Sequence, residues 1–275
     1  MFNFLHTFHP DPIFLSLGPI SIHWYGLLII SGIIAAGAIA IKLGKYYHLS
    51  SEQILDLSFY LVIFGILGAR IYDCILEYQY YLVNPWNVFK IWQGGLAIHG
   101  AIIAGIIVVY AFAKKFKTTF WTLSSIVVPG LSLALGIGRW GNYFNQELFG
   151  RPTNLPWGIP IDIYHRPIDY INFQYFHPTF LYESLGSLAI CLFLLSLHDR
   201  FIKKYHAAAN ILAKYHYIIT VSYLLLYSVL RFSVETIRID WAPTLLWWRT
   251  PQTVSILIFV LALGIILKKS LIKKS

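Results

Sequence analysis

The sequence predicts an all-α integral membrane protein with seven transmembrane helices, its N-terminus outside and its C-terminus cytoplasmic. Three observations carry this. The chain of 275 residues is 57% hydrophobic and only 12% charged, whereas a soluble globular protein carries about 25% charged residues. Its apolar residues gather into runs close to the length, about 17–25 residues, that crosses a bilayer as a helix. Its lysines collect at alternate connections between those runs.

The runs are Ser21–Ile41, Ile54–Ile75, Gly95–Ala113, Phe120–Ile137, Thr179–Leu197, Tyr217–Val234 and Gln252–Leu267. The second is interrupted by Asp56, Arg70 and Asp73, so its ends are soft. The last is short and is expected to extend at one end. No strict alternation of apolar and polar residues suggests a membrane barrel. Between the second and third runs, Tyr78–Gly94 reads as a short amphipathic helix on the outer surface. The connection Gly138–Pro178 is long and rich in aromatics, which marks it as ordered and functional. The stretch "DWAPTLLWWRT" at 240–250 reads as interfacial. The chain is otherwise one membrane-embedded domain, residues 1–275, without repeat or linker, and its outer-face loop region spans about 138–178.

The net charge of +9 is a topology signal rather than a nucleic-acid footprint. Lys42 and Lys45, then Lys114, Lys115 and Lys117, then Arg200, Lys203, Lys204 and Lys214, then Lys268, Lys269, Lys273 and Lys274 all fall on one side. The positive-inside rule makes that side cytoplasmic. The other side keeps Lys90 and receives Arg70, Arg139, Arg151, Arg166, Arg231, Arg238 and Arg249. Topology does not require that segregation. The guanidinium fork suits phosphate or carboxylate, so an anion site near the outer surface is expected. The start "MFNFLHTFHPDP" has no basic n-region and reads as a mature N-terminus. Cys74 and Cys191 read as packing residues, with no disulfide and no metal motif.

Polar groups at membrane depth are costly: an arginine at a helix centre costs about 2.5–3.5 kcal/mol. Arg70, near a helix end, reads equally as a snorkelling headgroup anchor or a site residue, and Arg249 reads as an anchor before anything else. The stretch "GRWGNYFNQELFG" at 138–150 is harder to explain that way. If the fourth helix continues into it, Arg139, Asn142 and Gln146 share a face. Its glycines allow close packing or close approach of a ligand. "YSVLRFSVETIR" places Tyr227, Arg231, Glu235 and Arg238 on one face, with Arg231 and Glu235 at pairing distance. Tyr25 in "HWYG", His99 in "GGLAIHGA", and Tyr182 and Glu183 in "HPTFLYE" complete the set. The cytoplasmic halves of the runs read as comparatively bare of polar groups.

These motifs resemble those of the phosphatidylglycerol–prolipoprotein diacylglyceryl transferases, enzymes of the bacterial inner membrane. The resemblance runs from "HWYG" to the last helix. It includes "GARI" at 68–71, "WQGGLAIHGA" at 92–101, "GRWGNYFNQELFGRPT" at 138–153, "HPTFLYE" at 177–183 and "RFSVETIR" at 231–238. It implies a multi-pass protein of the cell inner membrane, N-terminus periplasmic, with its active site toward the periplasm. It implies transfer of a diacylglyceryl group from phosphatidylglycerol to the thiol of the lipobox cysteine in a prolipoprotein signal peptide. A thioether forms and glycerol 1-phosphate leaves. No cofactor, metal or nucleic acid is implied; membrane lipids are the other partners. Its important positions fall here at Tyr25, His99, Arg139, Asn142, Glu147, Gly150, Arg231 and Glu235, with His99, Arg231 and Tyr25 as catalytic residues and the rest, with Arg231, around phosphatidylglycerol. Two positions depart from the pattern. Ala101 stands where the family commonly has a second glycine after His-Gly, which narrows backbone freedom. Ser125 stands where an aspartate is common and lies away from the outer cluster, so no loss of activity is expected.

The chemistry fits these residues. A thiolate is the nucleophile, and arginines stabilise the charge that grows on a departing phosphate. Arg139 is expected to hold the headgroup phosphate, Arg231 to assist its departure and Glu235 to orient Arg231. Either His99 takes the thiol proton, or the arginines lower the thiol pKa and His99 only positions substrate. A lipid or ion transporter is the rival class, and it requires polar groups in both leaflets. A purely structural membrane protein is disfavoured by the segregated arginines.

Overall fold

The computed structural model describes residues 2–205, 209–245 and 247–272; Leu246, Lys273 and Lys274 lie outside the described residues. A short helix, α1 (Phe2–Thr7), leads into a hairpin of β1 (Ile13–Leu17) and β2 (Ile20–His23), which turns at Gly18 with φ +60°. Then come α2 (Trp24–Tyr46), α3 (Ser51–Leu76), the short α4 (Tyr78–Val83), α5 (Ile98–Lys115) and α6 (Phe120–Phe144). β3 (Ile159–Pro160) and β4 (Tyr175–Phe176) pair antiparallel within the long connection. α7 (Thr179–Tyr205), α8 (Ala209–Glu235), the hairpin β5 (Thr244–Leu245) and β6 (Trp248–Arg249), and α9 (Thr250–Ile272) complete the chain.

Seven of these helices are long and apolar enough to cross a membrane, and they coincide with the seven expected runs. Most extend beyond their apolar runs because polar residues close their ends. Ser50 accepts from the Gln53 amide while Gln53 caps Ser50 in return, so α3 begins before its apolar run. Thr119 caps α6 through the Thr122 amide. At the other boundary, Ser21–His23 belong to β2 rather than to the first membrane helix.

α6 packs against α2, α7 and α8, α3 and α5 pair with each other and join α2 and α6 through a shared apolar cluster, and α9 packs on α8. Small residues set the closest approaches. A Cβ on Gly130 would lie 2.7 Å from the Ala36 carbonyl oxygen, and one on Gly100 only 2.0 Å from that of Gly68. These contacts seat α6 on α2 and α5 on α3. One end of the bundle carries the 145–178 connection and is called the head end; the other carries the lysines.

The head end is built on α1. Leu5 is buried with Tyr143, Phe149, Ile159, Phe176 and Phe180 in one apolar cluster. Arg166 donates to the carbonyls of Ile161 (2.7 Å) and Ile171 (3.0 Å), pinning the loop that follows β3.

Two expectations are corrected here. Tyr78–Gly94 is not one amphipathic helix: α4 stops at Val83, and 3₁₀ turns follow at Pro85–Phe89 and Ile91–Gln93. Pro85 disfavours helix in Asn84 and brings no N–H of its own. Arg70 then gathers the broken segment. It is buried, and it donates to the carbonyls of Val88 (2.9 Å), Gly94 and Gly95 (both 2.8 Å) and Asn87. Arg70 is a pin for this loop, not a headgroup anchor.

The lysine half is not bare. Pro129 inside α6 has no N–H, so the Ser125 carbonyl loses its helical donor. His198 of α7 replaces it, with Nε2 2.8 Å from that oxygen. Its Nδ1 stands 2.6 Å from the Tyr47 hydroxyl, which fixes the tautomer: Tyr47 O–H donates to Nδ1, and Nε2–H donates to Ser125. His216 Nδ1 meets Thr122 Oγ1 at 2.9 Å, and Ser124 meets Thr220 at 2.8 Å. His198 repairs the proline break and ties α6 to α7, and the other two pairs tie α6 to α8, which is packing rather than a conduction path. Ser125 belongs to this knot, away from the head end. Replacing His198 by Leu is expected to orphan the Ser125 carbonyl, at a cost of about 1–3 kcal/mol. Thermal unfolding in detergent reads this as a lowered midpoint; an unchanged midpoint contradicts the repair.

Candidate active site

The head end gathers four arginines around three carboxylates. The centre is Glu183, in the second turn of α7. Its Oε2 lies 2.5 Å from Nε of Arg139 on α6. Its Oε1 lies 3.5 Å from Nη1 of both Arg231 and Arg238. The second carboxylate, Glu235, ends α8. Its Oε2 is 2.7 Å from Arg231 Nη1 and its Oε1 is 3.1 Å from Arg249 Nε. The guanidiniums meet it as ion pairs rather than aligned hydrogen bonds. Asp240 closes the set, with Oδ1 2.7 Å from Arg238 Nε and Oδ2 3.6 Å from Arg249 Nη2.

Both glutamates are buried, so their charge is tolerable only because it is paired. The pairs also decide which arginines are free. The Arg238 side chain is 4% exposed and turns inward, Nε to Asp240 and Nη1 to Glu183, so it offers nothing to the surface. Arg139 and Arg231 are 19% and 17% exposed. Arg139 uses Nε on Glu183 and Nη1 on Asn142 Oδ1 (3.4 Å), leaving Nη2 without a partner among the described residues. Arg231 uses only Nη1, leaving Nε and Nη2. Two guanidiniums anchored on one carboxylate therefore present unused N–H groups, an arrangement suited to a phosphate.

The motif at 138–150 frames Arg139. α6 continues through Phe144, so Arg139 and Asn142 do share a face. Asn142 is buried and donates to Glu147 Oε1 at 2.6 Å, while the Glu147 amide donates back to the Asn142 carbonyl at 3.0 Å. Gln146 is not on that face. Its φ is +51° and that of Leu148 is +56°, so the chain leaves the helix sharply. Gln146 instead clasps the loop: Nε2 donates to Asp162 Oδ2 and Oε1 accepts from the Asp162 amide, both at 2.7 Å. That hydrogen bond, before any other cause, holds the Asp162 carboxyl below its ordinary value. Asn145 caps the end of α6 through its backbone N–H. Gly150 stitches the motif to its neighbours: its N–H donates to His177 (2.9 Å), and it bridges Arg238 across the turn after α8. A Cβ there would come 2.8 Å from the His177 Cβ. Burial also keeps the His177 imidazole below its ordinary pKa.

The structure therefore joins Arg139, Asn142, Glu147, Gly150, Arg231 and Glu235 through direct contacts. Tyr25 lies beside them, its ring against Gly141, where a Cβ would come within 2.5 Å of Cδ2. His99 is not part of the network. It is exposed at the start of α5, with the Tyr72 ring 5.8 Å away and no hydrogen bond among the described residues. Tyr227 stacks on Tyr223 at 5.7 Å, and Arg238 follows the end of α8 rather than continuing its face. Arg249 is no headgroup anchor: it pairs with Glu235 and donates to the Arg238 carbonyl at 2.8 Å. The hub role of Glu183 and the part of Asp240 were missed. The available signal was two carboxylates in a region otherwise rich in arginine. Among the described residues, no three His, Cys, Asp or Glu side chains converge to hold a metal ion.

The family model for prolipoprotein diacylglyceryl transferase matches residues 12–268. A phosphatidylglycerol–prolipoprotein diacylglyceryl transferase of Nostoc sp. is 43% identical over 237 residues, 86% of this chain and 81% of that protein. Those of Synechococcus elongatus and Synechocystis sp. are 41% and 38% identical, each over 84% of this chain and over 78% and 80% of their own lengths.

Two predictions follow from the charge arrangement. Glu183→Gln keeps the shape of the hub and removes its charge, at an expected cost of about 3–5 kcal/mol; an undiminished thermal midpoint contradicts the hub assignment. Gln146→Leu frees the Asp162 carboxyl. A carboxylate with a lowered pKa contributes stability above its unfolded value, and that stability is lost as pH falls through the lowered one. The midpoint gap between wild type and Gln146→Leu is therefore expected to be widest near neutral pH and to narrow in acid below the ordinary carboxylate range. A gap independent of pH contradicts it.

Proposed function

Because the chain belongs to the prolipoprotein diacylglyceryl transferase family, we infer that the arginine cluster at the head end is where it handles its lipid. The protein is a multi-pass membrane transferase. It moves a diacylglyceryl group from phosphatidylglycerol to a prolipoprotein, the first step of lipoprotein maturation. One observation supports the placement of that chemistry: Arg139 and Arg231 share Glu183 and keep unused N–H groups on partly exposed guanidiniums.

In this reading the phosphate diester rests on Arg139 Nη2 and Arg231 Nη2. Asn142 and Glu147 hold Arg139 in register, and Glu235 orients Arg231. The acceptor is the lipobox cysteine of the prolipoprotein signal peptide. Its thiolate attacks glycerol C3 of the lipid, the C–S bond forms and the C3–O bond breaks. The bonding pair leaves with glycerol 1-phosphate, and the charge growing on its phosphate falls on the two guanidiniums. The thiol proton goes to His99, whose ring holds no competing hydrogen bond. Tyr25 orients the substrate from its seat on Gly141. Gly150 keeps the motif close to the turn after α8. The membrane is the bacterial inner membrane, and the head end faces the periplasm. The lysine-rich opposite end supports that orientation.

The test is an assay with purified protein, phosphatidylglycerol and a lipobox peptide, reading the mass increase on cysteine. Arg139→Ala is expected to lower kcat/KM by about 10²–10³-fold, and retained activity contradicts the headgroup assignment. His99→Gln is expected to lower kcat by about 10²–10⁴-fold; a near-normal rate excludes an obligatory base and leaves the arginine field to make the thiolate.

A further inference from the structure

Arg249 stands just before α9, and its side chain is 19% exposed, the same fraction as that of Arg139. Unlike Arg139, it has spent its N–H groups. Nη1 donates to the carbonyls of Arg238 (2.8 Å) and Glu235 (3.4 Å). Nη2 donates to the Asp240 carbonyl and faces Asp240 Oδ2 at 3.6 Å. Only Nε is left, and it meets Glu235 Oε1 at 3.1 Å. The backbone N–H of Arg249 is tied as well, to Gln252 Oε1 at 3.2 Å. The carbonyls it serves belong to the end of α8 and the turn after it, where donors must come from outside the helix. The guanidinium is therefore fixed by backbone, independently of any substrate.

Glu235 is held in another way. Its side chain is 0% exposed, and neither oxygen accepts an aligned hydrogen bond. Charge alone orients it. Arg231 Nη1 lies 2.7 Å from Oε2, Arg249 Nε 3.1 Å from Oε1, and Arg238 Nε farther off, 3.9 Å from Oε2. A carboxylate readily accepts one guanidinium through both oxygens at once. Here Arg249 already occupies Oε1, so Arg231 meets Glu235 through Oε2 alone.

We propose that Arg249 is a positioning residue for the transfer reaction: by holding Oε1 of Glu235 it keeps Arg231 single-pronged, so that Arg231 Nε and Nη2 stay free for the lipid phosphate. The proposal rests on the reading that Arg139 and Arg231 receive that phosphate. Without Arg249, Oε1 becomes a buried anionic oxygen with no cation beside it, which is costly. Arg231 already touches the same carboxylate and has N–H groups to spare. It closes into the two-pronged pair and spends Nη2 there. The phosphate then competes with Glu235 for one donor. Arg249 thus acts on the lipid without touching it.

The experiment is a double-mutant cycle on kcat/KM for phosphatidylglycerol at saturating lipobox peptide, with Arg249→Gln, Glu235→Gln and the two combined. Arg249→Gln is expected to lower kcat/KM about tenfold, yet to add less than about twofold once Glu235 is already replaced. Losses that multiply overturn the proposal, because a residue that only secures the turn after α8 acts equally in both backgrounds. An unchanged rate for Arg249→Gln overturns it too. Arg249→Lys gives up the fork to the carbonyls but keeps a positive charge for Oε1. It is expected to recover most of the lost rate while its thermal midpoint falls like that of Arg249→Gln; equal losses of rate in the two variants contradict the proposal. Arg249→Met takes the place of Arg249→Gln in the cycle if the latter does not fold. Arg139→Ala in the same assay separates the parent reading. If it keeps its rate, the phosphate lies elsewhere and that reading falls. If it loses its rate while the losses in the cycle multiply, only the role of Arg249 falls.

Discussion

Two buried glutamates govern the head end. Four guanidiniums cannot stand together in a low-dielectric medium unless negative charge lies between them. Glu183 supplies it to Arg139, Arg231 and Arg238, and Glu235 supplies it to Arg231, Arg238 and Arg249. Asp240 takes the outer faces of Arg238 and Arg249. Within this cluster, four cations against three anions leave an excess of one positive charge. The burial of Arg238 and the partial exposure of Arg139 and Arg231 decide where that charge is presented. The ends of α6, α7 and α8 meet because those charges must meet, and the short turns that follow α6 and α8 are stitched together at Gly150.

The same accounting shapes the opposite half. Pro129 removes a backbone donor at membrane depth, where water cannot replace it. His198 takes over, and Tyr47 orients His198. Arg70 performs a related task beside the head end, collecting the carbonyls of a segment that Pro85 prevents from being helical. Arg70 and His198 thus satisfy a broken backbone and face inward. Arg139 and Arg231 keep donors unspent on partly exposed side chains, where a substrate can reach them.

Much of this was legible in the sequence. Hydropathy located all seven membrane helices, because even the short last run and the charge-interrupted second run are too apolar for a surface element. The pairs Arg139–Asn142 and Arg231–Glu235 were legible because both partners sit on one helix at spacings of three and four. What failed was long-range pairing. Glu183 was visible as a polar residue, but its partners lie on α6 and α8, and no local spacing reveals that. Arg70 and Arg249 were open to reading as surface anchors because their partners are backbone carbonyls or distant carboxylates. The Tyr47–His198 contact joins residues 151 positions apart. Gln146 was assigned to the wrong face because only its positive φ, absent from any propensity, takes it off the helix.

The central claim is that Arg139 and Arg231 together receive the lipid phosphate while Glu183 keeps both in place. A structure of the protein with bound phosphatidylglycerol tests this most directly. The account predicts the phosphate oxygens within hydrogen-bond distance of Arg139 and Arg231, with Glu183 still paired to both arginines. A headgroup held elsewhere, with the unused N–H groups of both arginines still unpartnered, contradicts it.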